Sequence, residues 1–256
     1  MQHGGGREHS FCICVDDYGL HAGINEAVLR LAEQGVIDAT GCMVGAPHWR
    51  EGGARLRESR PAIDVGLHLD FTEHPLDAGV RRGLRSLILG SYFGVLDGAD
   101  VRREIRAQLD AFEAVMDRAP DFIDGHQHVH QLPVIREALM DELAHRYRHA
   151  KPRLRSTQPP PGAGFKARLI GSLGAARLST LARQAGHAQN GRLLGVYDFR
   201  GGPMRYAALL RGWLAAARPG DLLMCHPSAG VDAGDPLSGA RRAEYAVLRA
   251  FPFKRS

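Results

Sequence analysis

Alternation is the feature that most constrains this chain. Apolar runs at 11–15, 38–44 and 62–69 read as buried strands. Between the first two, Ile24, Ala27, Val28, Leu31 and Ala32 recur at helical spacing and Gly35 ends the stripe; a weaker helix is expected over 51–59 between the second and third. Strand, helix, strand, helix, strand in this rhythm argues for a parallel sheet with crossover helices, open or closed into a barrel. With 256 residues, 44% of them hydrophobic and 24% charged, the chain can bury a large core without disulfides or a structural metal. Any metal it binds is therefore expected to serve chemistry.

The alternation falters over 72–98, where Pro75, several glycines and mixed polarity suggest an excursion with a helical turn at 84–89. Asp100 is the expected cap of an amphipathic helix carrying Val101, Ile105, Leu109, Phe112 and Met116 on one stripe. A fourth strand ends at Asp124, and a helix is expected over 134–148. Residues 153–157 suggest a short strand, and the QPPPGAG run at 158–164 a hinge or loop. One helix over 165–184 reads as a lid, so that 72–98 and 158–190 are the two candidate substrate excursions. Strands are expected at 193–199 and 221–225 with a helix over 204–217 between them, and a closing helix over 241–250. Residues 1–10, glycine-rich and polar, are expected to be a disordered tail preceding a single domain over 11–256.

The net charge of +5 raises the question of nucleic acid. The basic residues are nearly all arginine, are spread along the chain, and show no helix-turn-helix or zinc-finger spacing, so no specific nucleic-acid partner is expected. Cys12, Cys14, Cys42 and Cys225 form no C-x-x-C pair and are expected to be free thiols of a reducing compartment. The first ten residues lack the apolar stretch of a secretory signal and no run is long enough to span a bilayer, which points to a cytoplasmic protein.

Chemistry concentrates at strand ends. Asp16 and Asp17 close the first strand, His68 the third, Asp124 and His126 the fourth, and His226 the last. In parallel α/β folds the active site forms at the carboxyl ends of the strands, from residues on several of them. Each residue has a bland alternative: an aspartate can cap a turn, and a lone histidine between leucines is usually a satisfied core group. The joint pattern carries the weight. Within 126–130, a strand would place His126 and His128 on one face, and a helix would pair His126 with His130; His128 and His130 are left as supporting or substrate-contacting groups. Two imidazoles and a carboxylate leave positions open for water on one divalent ion, magnesium or zinc. A second carboxylate could take a proton from that water and a histidine could protonate a departing amine.

The motifs Val15-Asp16-Asp17-Tyr18-Gly19-Leu20 with Asn25 and Met43, Val65-Gly66-Leu67-His68-Leu69, Asp124-Gly125-His126-Gln127-His128-Val129-His130 and Met224-Cys225-His226-Pro227 together resemble the YdjC-like carbohydrate deacetylases, which include chitooligosaccharide deacetylases. The resemblance implies an irregular, TIM-barrel-like (β/α) barrel of mostly parallel strands. It also implies a divalent-metal hydrolase that removes an acetyl group from an N-acetylated sugar. It assigns Asp17, His68 and His126 to the metal, Asp16 as general base and His226 as general acid, and suggests Arg155 as the arginine that orients the catalytic carboxylate. A homodimer fits the resemblance too. Tyr18, Gln127 and Ser228 depart from the family's usual phenylalanine, histidine and glycine, without removing a proposed ligand. The substrate is expected to be an oligosaccharide or small glycoconjugate, with a glycosylated hopanoid-type lipid as a second candidate. Two competing readings of the same fold are a metal-dependent phosphoesterase and a non-catalytic sugar-binding protein.

Overall fold

The computed structural model describes residues 11–253. Strand β1 (Cys12–Tyr18) shows how the sequence builds the frame. Ile13 and Val15 point outward into the main core beneath the helices, while Cys14 points the other way, into a cluster with Ala39, Phe122, Leu193, Leu222 and Met224. The period-two alternation of a strand thus divides one segment between two apolar environments.

Helix α1 (Ala22–Glu33) follows, and then β2 (Ala39–Cys42), α2 (Trp49–Ser59) and β3 (Asp64–Leu69). The excursion after β3 carries α3 (Leu84–Tyr92) and leads into α4 (Gly98–Met116), β4 (Phe122–Gly125), α5 (Ile135–Arg146) and β5 (Arg153–Leu154). A second excursion holds α6 (Phe165–Ser172) and α7 (Ala175–Ala185) before β6 (Leu193–Leu194), α8 (Gly202–Ala216), β7 (Leu222–Cys225) and α9 (Ser238–Ala250). The strands form a seven-stranded, all-parallel sheet in the order β5-β4-β3-β2-β1-β7-β6. It is an irregular half-barrel. Its edges approach through a few bonds: Leu154 N–H donates to Ala188 O (2.9 Å), Leu193 N–H to Gln158 O (2.8 Å), and Asn190 Oδ1 accepts from Ser156 N–H (2.7 Å).

The expected alternation holds, with local corrections. The strands expected at 153–157 and 193–199 shrink to two residues each, because the chain beyond them turns toward the mouth of the barrel. The helix expected over 165–184 is two helices broken at Gly174, whose φ of 138° lies outside the helical region and where a Cβ would strike Gln131 O. Asp97, not Asp100, caps α4, its Oδ1 accepting from Ala99 N–H at 2.7 Å. The stripe of α4 is buried as its spacing requires. The four cysteines are free. No helix among the described residues is long and apolar enough to cross a membrane. The expected tail at 1–10 lies outside the described residues.

Candidate active site

The same alternation that buries Cys14 aims the chemistry. Asp16 follows Cys14 by two residues; His68 follows Gly66, Asp124 follows Phe122, Arg155 follows Arg153 and His226 follows Met224 by the same step. Each stands on the barrel-interior side at the carboxyl end of its strand. Asp17 has the opposite parity and would face the helices. A register shift between Val15 and Tyr18, with φ of 66° at Asp17, turns it back beside Asp16. Such a bulge re-aims one side chain without disturbing the strand. Gly41 leaves room for the assembly: a Cβ there would lie 3.2 Å from His68 Nδ1 and 3.4 Å from Asp124 Oδ1.

Two groups share this mouth. In the first, Asp17 Oδ1 faces His126 Nδ1 at 3.0 Å and His68 Nε2 at 3.4 Å, while its Oδ2 meets Arg241 Nη2 at 2.8 Å. Donors about 2.0–2.2 Å from one cation stand about 3.0–3.4 Å apart at octahedral or tetrahedral angles, so these separations suit a divalent ion. His68 Nδ1 lies 2.6 Å from Asp124 Oδ1, which orients the ring with Nε2 toward Asp17; on giving up its proton, that nitrogen would offer a lone pair to a cation. A carboxylate behind a histidine in this way fixes the tautomer of a metal ligand. Glu73 Oε1 lies 3.1 Å from His126 Nε2 at the outer edge.

The second group is Asp16 and Asp124 around Arg155. The guanidinium donates to both oxygens of Asp16 at 2.6 Å and lies 2.6 Å from Asp124 Oδ2, with all three side chains buried. Asp16, His68 and Asp124 also lie close enough for a metal, but the arginine already supplies the positive charge there. Asp17, His68 and His126 group equally closely, with Arg241 on the far oxygen of Asp17 only.

The charges follow from these partners. Burial opposes ionisation of Asp16, but Arg155 outweighs it and holds the carboxyl far below its ordinary range. Burial likewise opposes ionisation of Asp17, and Arg241 and His126 overcome it. For His68, burial disfavours the cation, yet Asp124 and Asp16 raise it to about 10. For His226 burial outweighs the pull of Asp17 and Asp16 and lowers it to about 4, so the ring is neutral at neutral pH. Its Nε2 stands 3.9 Å from Asp16 Oδ2, and its backbone N–H donates to the buried Glu244 at 2.6 Å.

The histidine run adopts neither simple geometry. It forms a 3-10 segment with left-handed backbone at Gln127 and His128. His126 joins Asp17; His128 lines the cavity; His130 turns away, its Nε2 3.0 Å from Arg155 O. Arg241 and Glu244 were not legible as site residues, because nothing in an amphipathic closing helix marks which arginine or glutamate is buried. Tyr18 is explained by its hydroxyl, which donates to Gly52 O at 2.7 Å.

Above these groups lies a cavity of about 620 Å³. Asp16, Asp17, His68, His126 and His226 form its floor, and Leu84 and Ile88 of α3 face Leu169, Ile170 and Leu173 of the second excursion across it.

A model of the YdjC-like protein family matches residues 10–255. The chain belongs to that family. Among curated relatives, a chitooligosaccharide deacetylase of Yersinia enterocolitica is 31% identical over 150 residues, covering 54% of this chain and 56% of that protein. Its counterpart in Yersinia pestis (strain Pestoides F) is 32% identical over 135 residues, covering 50% and 53%. The chain thus matches about half the length of these relatives. A solved structure from Enterococcus faecalis V583, provisionally assigned to cellobiose-phosphate cleavage, shares the fold: its TM-score is 0.69 at 18% identity, over 94% of this chain and 90% of that one.

Proposed function

We propose that this YdjC-like protein hydrolyses the acetamide of an N-acetylated sugar, with Asp17, His68 and His126 holding one divalent cation, magnesium or zinc. The supporting observation is the division of labour between adjacent carboxylates: Asp17 faces two imidazoles, and Asp16 faces Arg155 and His226. The name of the Yersinia relatives points the same way. A cation at this position would acidify its water and polarise the acetyl carbonyl.

The chain's own residues then move the proton. Asp16, kept ionised by Arg155, is a weak base that accepts a proton only from a strongly acidified water. From Asp16 Oδ2 the proton has 3.9 Å to travel to His226 Nε2. The neutral imidazole can receive it and pass it to the departing sugar amine, so that His226 acts as the general acid. The edge of the His226 ring against Phe199, with centroids 5.2 Å apart, and its backbone bond to Glu244 hold it in place. Leu84 and Ile88 of the first excursion and Leu169, Ile170 and Leu173 of the second serve as substrate walls of a single domain.

An N-acetylated sugar carried on a lipid, of the glycosylated hopanoid type, is a second reading, favoured by the aliphatic walls at Leu84, Ile88, Leu169 and Leu173. Phosphoesterase chemistry with two metals is disfavoured, since Arg155 fills the neighbouring carboxylate group.

Acetate release from N-acetylglucosamine oligomers, with and without a chelator, tests the reading. Metal-dependent release is expected. Cleavage of aryl phosphates with no acetate from any acetylated sugar would overturn it. A higher kcat/KM for an alkyl N-acetylglucosaminide than for the free sugar would select the lipid-linked substrate.

A further inference from the structure

The large apolar side chains left exposed in this protein are not scattered. Leu89, Tyr92, Phe93 and Val95 stand on α3 and the turn after it, and Phe165 and Leu169 on α6; Phe93 and Val95 are each 77% exposed and Phe165 73%. The other three among the described residues, Leu76, Met204 and Val231, lie outside these two helices. The six on α3 and α6 flank the cavity, because both helices line it, through Leu84 and Ile88 and through Leu169 and Ile170. Isolated exposed apolar residues need no explanation, but a set gathered on one face does.

Charge in the same two segments is one-sided. Between Asp77 and Asp97 there are three arginines and no carboxylate. From 143 to 197 there are ten lysines and arginines and, again, no carboxylate. Arg146, Arg153, Arg155 and Arg192 of the second segment find acidic partners elsewhere in the fold. Outside the two segments the arginines are mostly paired: Arg30, Arg55, Arg103, Arg118 and Arg205 each meet an acidic side chain. Arg81 and Arg82 bond only backbone carbonyls, and no acidic partner among the described residues accompanies Arg85 or Arg168. These cations interleave with the exposed apolar residues: Arg85 precedes Leu89 by one helical turn, and Arg168 sits between Phe165 and Leu169. Apolar side chains ringed by unpaired basic ones match the interface of an anionic bilayer, where the apolar groups enter the acyl boundary and the cations meet headgroups. A nucleic-acid surface would offer bases a stacking platform along a basic groove; here half of the six exposed groups, Leu89, Val95 and Leu169, are aliphatic and give a base nothing to stack on.

We propose that α3 and α6 form a docking surface for a membrane carrying anionic phospholipid, placing the mouth of the catalytic cavity against the bilayer. The surface goes beyond the deacetylation reading and does not depend on it. Its consequence is topological: a substrate anchored in one leaflet could enter between Ile88 and Leu169 without crossing water.

The test is co-flotation of the full chain with large vesicles of phosphatidylcholine, with and without phosphatidylglycerol, read without any turnover. Binding is expected only with phosphatidylglycerol, falling as salt rises, because each basic residue near such a surface contributes about fivefold in affinity. Arg82→Glu with Arg85→Glu should weaken binding at least tenfold. Phe93→Asp with Phe165→Asp should abolish it; neither residue lines the cavity, so acetate release from soluble oligosaccharides should be unchanged and confirm an intact fold. Absence of flotation at any phosphatidylglycerol content would overturn the proposal. So would flotation indifferent to both double variants. A dimer that dissociates on Phe93→Asp would assign the face to a second copy of the chain, and salt-sensitive capture of RNA in place of vesicles would assign it to nucleic acid; either result overturns the membrane assignment. If vesicle binding holds while no acetylated sugar is hydrolysed, the docking surface stands and the deacetylation reading fails.

Discussion

Asp16 and Asp17 are neighbours in sequence, equally buried, and chemically identical, yet they belong to different halves of the site. Asp16 shares Arg155 with Asp124 in a cluster whose cation is a fixed guanidinium. Asp17 faces two imidazoles that can give up protons to hold a removable cation, and a buried arginine neutralises only its far oxygen. A positive φ at Asp17 produces this difference by turning the second carboxylate away from its natural parity. The lesson is that a carboxylate's role is set by which cation it faces, and that a one-residue backbone irregularity can decide that.

The sharpest way to break this division is to neutralise each aspartate separately. Asp16→Asn should lower kcat by about 10²–10⁴, the span usual for losing a general base, while metal stoichiometry is retained. Asp17→Asn should remove the metal itself and leave Arg241 with Asp235 as its remaining charge partner. Acetate release paired with metal content by atomic absorption separates the two outcomes. Equal loss of metal in both variants would mean that the halves are one site.

A second break targets the fixed cation. Replacing Arg155 by methionine leaves two buried carboxylates without compensation, which should cost about 3–5 kcal/mol of folding stability by chemical denaturation. The half that is permanently charged should therefore be the one on which the fold depends. A loss below about 1 kcal/mol would show that His68, protonated, can substitute for the guanidinium.

How much of this was legible beforehand follows from the same parity. The strands ending at Asp16, His68, Asp124 and His226 were readable because apolar runs stopping at a charged residue leave a strong mark. The parallel sheet followed from the alternation with helices. Strands of two residues, at Arg153–Leu154 and Leu193–Leu194, were overextended because Thr157 in one case and Val196, Tyr197 and Phe199 in the other carry strand-favouring side chains past the point where the backbone stops pairing. The bulge at Asp17 left no mark, since aspartate tolerates left-handed backbone without a diagnostic glycine. Arg241 and Glu244 come from a helix whose sequence gives the apolar stripe but not which polar residues border the site. Long-range pairs such as Arg155 with Asp16 depend on closure of the sheet, which no local pattern encodes.

A finer probe concerns Asp124, which links the halves by pairing with His68 through one oxygen and with Arg155 through the other. Asp124→Asn keeps an acceptor for His68 Nδ1–H but loses the charge that orients and enriches the ring. Metal affinity should fall about 10–100-fold by calorimetric titration, the effect usual for a partner behind a histidine ligand. Unchanged affinity would confine Asp124 to the arginine cluster.

The smallest expected effect lies behind both halves, at Glu244. Burial raises its carboxyl to about 7 even though the His226 N–H and the Tyr197 hydroxyl donate to it. A carboxyl raised from 4.5 binds its proton more tightly in the folded chain than in the unfolded one. The stability it contributes is therefore complete below about pH 4.5 and lost as pH rises through about 7. In chelator-treated protein the thermal midpoint should drop by a few degrees across that window, and Glu244→Gln should flatten the drop. A separate decline should persist at higher pH in both proteins. It belongs to His68, which burial would keep neutral but Asp124 and Asp16 hold protonated to about 10, so that its contribution is full below about 6.5 and lost as pH rises through about 10. If Glu244→Gln erased both declines, the carboxylate behind His226 would be coupled to the Asp124–His68 pair, and the boundary between a fixed-charge half and an exchangeable one would have to be redrawn around it.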